Sequence, residues 1–324
     1  MDEQSHLKSP LALTGATGFI GSELQRQLVA AGHPVRALIR PGSLRRQRLH
    51  PAVEACEVAL DDADGVRAAL TRIATVVYCA GAVRGRTAGE FAPANIDGLR
   101  TVCRAAAAQR PAPRIILISS LAASRPQLSD YSQSKFAGEN VLRSAGALAW
   151  TILRPPAVYG PGDREMLPLF RAIRAGLALQ IGPPDQRLSL LHVSDLARAV
   201  LTCLDHAEAC NHELFELDDG RVHGYGWDDI IAAARGRWPV LRVPVSRPLL
   251  ALIARANEWL AERCRYAPML TQGKVRELSA PNWLCDNSAL GAATGWVPQV
   301  QLRAGLDQLF GGNEVEGDDV GVVT

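Results

Sequence analysis

"LALTGATGFIGSELQRQL", residues 11–28, decides the fold. A short apolar run ends at Thr14. Gly15, Gly18 and Gly21 then follow at three-residue spacing and open into a helical pattern. Strand, tight turn and helix is the arrangement that lets a backbone approach a pyrophosphate closely, with the unpaired N–H groups of a helix N-terminus aimed at it. Outward from this unit, "VRALI" (35–39), "VEACEV" (53–58), "TVVYCA" (75–80), "RIILIS" (114–119) and "WTILR" (150–154) read as further strands. Helical patterns over 19–31, 89–109 and 130–145 lie between them, the first and third stopping at Gly32 and Gly146. Strands alternating with helices predict an α/β fold with a parallel sheet covered on both faces.

Bulk properties set the boundaries. A chain of 324 residues, 48% apolar and 21% charged, is long enough for one large or two modest domains with a well-buried core. Its formal net charge of +2 names no dominant electrostatic partner. No basic stripe with interleaved aromatics suggests nucleic acid. The seven cysteines include no C-x-x-C pair, so free thiols in a reducing compartment are expected. No His/Cys/Asp cluster has metal-ligand spacing. The polar start "MDEQSHLKSP" lacks a signal-type apolar core and no apolar run is long enough to span a bilayer, so a cytoplasmic protein is expected.

After "RPPAVYGPGD" (154–163) the alternation breaks down. The expected division is a dinucleotide-binding domain over 10–160 plus 192–206 and a smaller, mostly helical substrate lobe over 161–191 plus 207–310. The glycine-rich, acidic residues 311–324 read as a disordered tail. "SRPLLALIARANEWLAERCR" (246–265) is amphipathic; lobe packing is its default reading, and a membrane-surface helix with Trp259 at the interface is the alternative.

The chemistry concentrates in "LISSLAASRPQLSDYSQSK" (117–135). Tyr131 and Lys135 share one helix face, one turn apart. The chain holds only three lysines, Lys8, Lys135 and Lys274, so a lysine at that spacing stands out. A phenol has an ordinary pKa of about 10, and a neighbouring ammonium is expected to lower it toward use as an acid–base group.

Taken with the glycine turn, "YSQSK", "LRPPAVYGPGD" and "HVSDLARAV" resemble the extended branch of the short-chain dehydrogenase/reductase family, of the epimerase/dehydratase kind, from about residue 10 to 310. That resemblance implies a Rossmann-type doubly wound sheet and a nicotinamide dinucleotide held by Gly15, Thr17, Gly18, Phe19, Ile20, Gly21, Ala80, Gly81, Pro155 and Val158, with Tyr131 and Lys135. It implies hydride transfer between the nicotinamide and a carbonyl or alcohol, with Tyr131 as general acid/base and Lys135 as its tuner. The catalytic serine is expected just after the fifth strand, where Leu121 occupies the slot by ungapped comparison; Ser120 is the first choice and Ser124 the second. Asn95, in "FAPANIDGLRTV", is placed behind the site, as a structural or a catalytic residue.

At the end of the second strand the segment resembles the "VRA-x-VR" pattern of dihydroflavonol reductases. Ile39 stands where NAD-using relatives carry aspartate, and Arg40 follows, with Arg36 on the same strand. NADP(H) is therefore favoured over NAD(H). In "VALDD" (58–62), Ala59 replaces an adenine-contacting aspartate, leaving Asp61 or Asp62 as substitutes. His192 and Asp195 are expected to organise a helix start. The substrate is a small molecule, a homodimer is an open alternative to a monomer, and membrane association is disfavoured. Two other functions stay open: a nucleotide-sugar epimerase/dehydratase with bound NAD(P), and a non-catalytic NAD(P)-binding sensor or assembly subunit.

Overall fold

The computed structural model describes residues 8–311. The tail expected at 311–324 lies, apart from Gly311, outside the described residues. In chain order the first half runs β1 (Leu11–Thr14), α1 (Phe19–Ala30), β2 (Val35–Ile39), β3 (Glu54–Glu57), α2 (Ala63–Ala69), β4 (Thr75–Tyr78), α3 (Ala88–Ala92), α4 (Gly98–Ala107), β5 (Arg114–Ile118), α5 (Asp130–Arg143) and β6 (Trp150–Arg154). The remainder is β7 (Ala157–Tyr159), α6 (Leu167–Arg174), β8 (Leu177–Ile181), β9 (Leu190–His192), α7 (Val193–Asp205), β10 (Glu213–Glu216), α8 (Trp227–Ala234), β11 (Leu241–Val245), α9 (Arg247–Cys264), α10 (Gln272–Leu278), α11 (Ser288–Thr294) and α12 (Leu302–Gly311).

One seven-stranded sheet, ordered β10-β6-β5-β4-β1-β2-β3 and parallel throughout, forms the scaffold. This is a Rossmann-like doubly wound sheet. Strand order reverses between β1 and β4, and at such a switch point ligands lodge beyond the carboxyl ends of the strands. Successive side chains on a strand point to opposite faces. Leu11 and Leu13 accordingly join one core with Leu24, Leu28, Leu196 and Val200, and Ala12 joins the other with Val102, Leu99 and Leu142. Burial on both faces is why these strands read as unbroken apolar runs.

The domain division needs one correction. Residues 207–217, placed with the smaller lobe on sequence, carry β10, which pairs with β6 and closes the edge of the main sheet. Once 192–206 returns to the sheet as α7, the next strand is held in its layer. The lobe has its own core, in which Tyr159, Phe170, Ile173, Tyr225, Ile230, Leu302 and Leu306 pack together. "HVSD" joins the two parts. His192 caps α7 by accepting from the Ser194 N–H, and the fully buried Asp195 accepts from the amides of Gln299 and Val300 at 2.9 Å each. Burial pulls the His192 imidazole down to about 4, so it is neutral at physiological pH and its role is architectural.

What seats α5 on the sheet is a buried ion pair. The Glu139 side chain is 0% exposed and that of Arg154, at the end of β6, is 13% exposed. The guanidinium makes a two-pronged contact, Nε to Oε1 at 2.8 Å and a terminal nitrogen to Oε2 at 2.7 Å, and the Ser119 hydroxyl donates to the same carboxylate at 2.6 Å. Removing one partner of such a pair leaves the other buried without compensation. Glu139→Leu is expected to cost about 3–5 kcal/mol in denaturant unfolding, and the double variant E139L/R154M to recover most of that loss. A Glu139→Leu protein as stable as the parent would show that the pair does not hold the helix.

Candidate active site

At the β1–α1 turn the glycines are required by close packing. Gly15 has φ of +69°, and a Cβ there would lie 2.8 Å from the Ala80 nitrogen. A Cβ on Gly21 would lie 2.0 Å from the Gly15 carbonyl oxygen. The Thr14 hydroxyl accepts from the amides of Cys79 and Ala80, at 3.1 and 3.0 Å, locking the turn to the end of β4 at the switch point. No side chain caps α1, whose N-cap is Gly18. The amides of a first helical turn have no partner within the helix and suit an anion. Thr17, Gly18, Phe19 and Ile20 line this turn, partly exposed, and Gly162 of the "YGPGD" loop packs over Phe19. The site therefore has a cradle that a pyrophosphate fits and a side chain would fill.

The second half of the site is built on α5. Ser129 caps the helix by accepting from the Ser132 N–H at 3.0 Å, which puts Tyr131 and Lys135 in its first two turns. Lys135 Nζ donates to the Ile118 carbonyl at the end of β5, 2.9 Å away, and a Cβ on Gly81 would lie 3.8 Å from it. The Ser120 hydroxyl accepts from the Ala122 amide at 3.2 Å and lies near enough to the Tyr131 phenol to act on its proton. Leu121, by contrast, is buried and its amide donates to the Pro155 carbonyl at 2.8 Å. Ser124 turns back on its own loop, donating to the Leu121 carbonyl at 2.7 Å. Of the residues considered for the serine position, Ser120 is the one brought to the tyrosine. Pro155 and Val158 run beside it, with Val158 packed against the core under α1.

Burial dominates the electrostatics. It pushes the Tyr131 phenol up to about 12; the Ser120 hydroxyl acts in the opposite direction and the Glu277 carboxylate adds to the rise. The lowered phenol expected from an adjacent ammonium is thus corrected: in this site desolvation raises it, Ser120 rather than Lys135 is the opposing influence, and Tyr131 keeps its proton at neutral pH. Burial also pulls Lys135 down to about 8, against smaller opposing influences from Cys79 and Glu139.

Asn95 lies in a π-helical turn, Pro93–Asp97, between α3 and α4. Its side chain exchanges hydrogen bonds with the backbone of Ala82 (2.9 and 3.1 Å) and donates to Ser134 Oγ at 2.8 Å. It ties the loop after β4 to the helix of Tyr131, the structural alternative of the two held open. The Tyr78 phenol donates to Ala94 O at 2.7 Å within the same turn.

A third contributor comes from the lobe, where sequence reading found nothing. Glu277 on α10 is buried and accepts from the hydroxyls of Ser129 and Ser132, the second at 2.9 Å, and from Lys274 Nζ at 2.9 Å. Arg125 donates to the carbonyls of Pro281 and Asn282 at 2.8 and 2.7 Å and stacks on Trp283, which walls the loop after Ser120. Only its i,i+3 relation to Lys274 was visible in the sequence, and that spacing is common on any helix surface.

At the far end of the turn, Arg40 follows β2, exposed and with no ion pair among the described residues. Arg36 does not join it. It sits nearer the opposite end of β2, paired with Glu54 at 2.9 Å and donating to the Ala69 carbonyl at 2.8 Å. Of the two aspartates after β3, Asp62 is spent capping α2 through the Gly65 amide at 2.9 Å, which leaves Asp61.

Known proteins resemble this chain in sequence and in fold. The model of the NAD dependent epimerase/dehydratase family matches residues 11–217. A ceramide reductase of Caulobacter vibrioides is 36% identical over 282 residues, 84% of this chain and 85% of that protein. A 2-alkyl-3-oxoalkanoate reductase of Stenotrophomonas maltophilia is 26% identical across 92% of this chain and 98% of its own. In fold, the chain superposes on the UDP-glucuronic acid 4-epimerase of Bacillus cereus, solved with UDP-glucuronic acid and NAD, with a TM-score of 0.71 at 17% identity over 93% of this chain and 98% of that one.

The depressed lysine makes stability depend on pH. Lys135 titrates near 8 in the folded chain against an ordinary value of 10.5, so the unfolded state holds that proton more tightly. Its contribution to stability rises as pH climbs from about 8 toward 10.5. Lys135→Met removes that contribution. The stability difference between parent and variant, followed by denaturant midpoints, is expected to shift in favour of the parent through this window; a constant difference would contradict the assigned environment.

Proposed function

The chain belongs to the NAD-dependent epimerase/dehydratase family as an NAD(P)-dependent oxidoreductase, and we propose that it is an NADPH-consuming reductase of a ketone carried on an apolar, lipid-like substrate. The observation that carries the reading is the convergence of Ser120, Tyr131 and Lys135 at the carboxyl ends of the strands, beside the glycine cradle.

The cofactor is a nicotinamide dinucleotide, for which Gly15, Thr17, Gly18, Phe19, Ile20 and Gly21 would hold the pyrophosphate and Ala80, Gly81, Pro155 and Val158 the nicotinamide end. When bound, it supplies the hydride that the carbonyl carbon receives. Tyr131, protonated at neutral pH, gives its phenolic proton to the carbonyl oxygen as that oxygen gains charge. Ser120 hydrogen-bonds the same oxygen and lowers the energy of the phenolate left behind. Lys135, one donor committed to Ile118, keeps its others for the ribose hydroxyls and for that phenolate. Asn95 positions both halves through Ala82 and Ser134.

NADPH is preferred because Arg40 has its guanidinium free at the end of β2 and Ile39 presents no carboxylate to repel a 2′-phosphate. The lipid-like substrate rests on the ceramide and alkyl-oxoalkanoate reductases among the relatives. Seven free cysteines support a reducing, cytoplasmic setting.

Turnover of NADPH with ketolipids and with UDP-sugars is the decisive assay. Tyr131→Phe is expected to lower ketone reduction roughly 10²–10⁴-fold while NADPH still binds. Cofactor oxidation that survives the substitution would sink the mechanism, and conversion of UDP-sugars without net NADPH use would make the protein an epimerase. Arg40→Asp is expected to weaken NADPH binding roughly ten- to hundredfold and NADH binding far less, by fluorescence titration; equal losses would remove Arg40 from the phosphate site.

A further inference from the structure

The helix α9 is only partly accounted for by packing. Leu250 and Ala254 face inward, against Val275, Leu270 and Leu278. On another side of the helix Leu249, Leu252, Ile253, Trp259 and Leu260 stand 46–66% exposed. With exposed Ala256, these positions fall at the intervals that align on one face of a helix, whose centre lies roughly 100° or more from the buried residues. Single exposed apolar residues are ordinary; a continuous stripe ending in tryptophan is not. Lobe packing, the default reading of 246–265, thus explains one face of the helix and leaves a second.

The charges around that stripe identify its partner. Arg255, Arg263 and Arg265 are exposed and have no ion pair among the described residues, and Arg263 stacks over Trp259 with its guanidinium carbon 4.4 Å from the ring centre. The helix's two glutamates offset them only in part. Glu258 is turned into the lobe, accepting from the Gln272 amide at 2.7 Å. Glu262 lies two turns from Arg255 on the same side of the helix, and is also close enough to Arg86 in the loop after β4 to help hold that guanidinium above its ordinary value, behind the larger effect of Glu90. A second copy docked antiparallel across Leu249–Leu260 would set Arg255 of each copy near the two-fold axis, like charge toward like. An anionic lipid surface instead offers apolar depth for the leucines, an interface for the tryptophan and phosphates for the arginines.

We propose that α9 seats the protein on the anionic surface of a phospholipid bilayer, with the exposed stripe Leu249–Leu260 in the acyl boundary and Arg255, Arg263 and Arg265 on the headgroups. The position suits delivery of substrate. The helix packs on α10, which carries Glu277 to the start of α5, and Glu262 in its last turn is near enough to Arg86, in the loop after Gly81, to act on its charge. A ketone lifted from the bilayer would enter between these elements. This last point rests on the lipid-ketone reading; the docking itself does not.

The test is flotation of the full chain with vesicles of phosphatidylcholine, with and without phosphatidylglycerol. Binding to the phosphatidylglycerol vesicles, weakened by salt, is expected. The variant L252E/W259E is expected to lose binding roughly tenfold or more, and R255Q/R263Q to a similar degree. Both should keep the parent's thermal unfolding and its kcat/KM on a short, water-soluble ketone. Absence of parent binding, or equal binding by all three proteins, overturns the proposal. So does a parent dimer in light scattering that L252E/W259E converts to monomer without any vesicle binding. Vesicle binding that is lost in both variants, in a protein that turns over no ketone, would uphold the docking and remove only the lipid-ketone reading.

Discussion

The site depends on where α5 sits, and that is set by the buried Glu139–Arg154 pair. Helix packing alone leaves α5 free to slide or rotate by small amounts, because apolar surfaces attract without much direction. A bidentate guanidinium–carboxylate contact does not allow this; it fixes distance and angle together. Glu139 lies one turn beyond Lys135, on the helix, and Arg154 ends the strand adjacent to β5. The contact therefore indexes Lys135 against the Ile118 carbonyl and Tyr131 against Ser120. Ser119, donating to the same carboxylate, carries that register into the backbone of the next residue, Ser120. A costly buried charge pair is in this way tied to the placement of Tyr131 and Lys135.

A second constraint acts at the switch point, where the backbone must come close to itself. Gly15 and Gly21 leave no room for a Cβ, and Thr14 ties the turn to the end of β4. Such rigid, densely packed features set the cofactor end. At the lobe the contacts change character. Arg125 and Arg276 reach across to main-chain carbonyls, those of Pro281, Asn282 and Leu128, and Glu277 receives two serine hydroxyls. Side-chain contacts to a neighbouring backbone tolerate sequence change on the accepting side.

That division also explains what was legible in the sequence. The strands of the sheet, the glycine turn and the Tyr131–Lys135 pair follow from periodicity and local spacing, and the structure reproduces them within a residue or two. The serine was ambiguous because ungapped spacing cannot register how a short loop turns: Leu121 swings into the core and Ser120 remains with the tyrosine. β10 was assigned to the lobe because four residues after a long helix say nothing of which sheet edge they will meet. Arg36 looked like a partner for Arg40, yet strand direction separates them and Glu54 on β3 claims it. Glu277 was invisible because its partners lie some 145 positions away in the chain.

The proton of Tyr131 is where the influences of the lobe and the sheet meet. Its phenol is raised first by burial and then by Glu277, a residue of the lobe, and is opposed by Ser120, a residue of the sheet. The lobe and the sheet thus act on the same proton with opposite sign. Burial is the larger of the two raising influences and Glu277, seated on Ser129 and Ser132, the smaller, and the tyrosine holds its proton at neutral pH. The lobe thus reaches the tyrosine by a short path, from Glu277 on α10 through Ser129 and Ser132 in the first turn of α5.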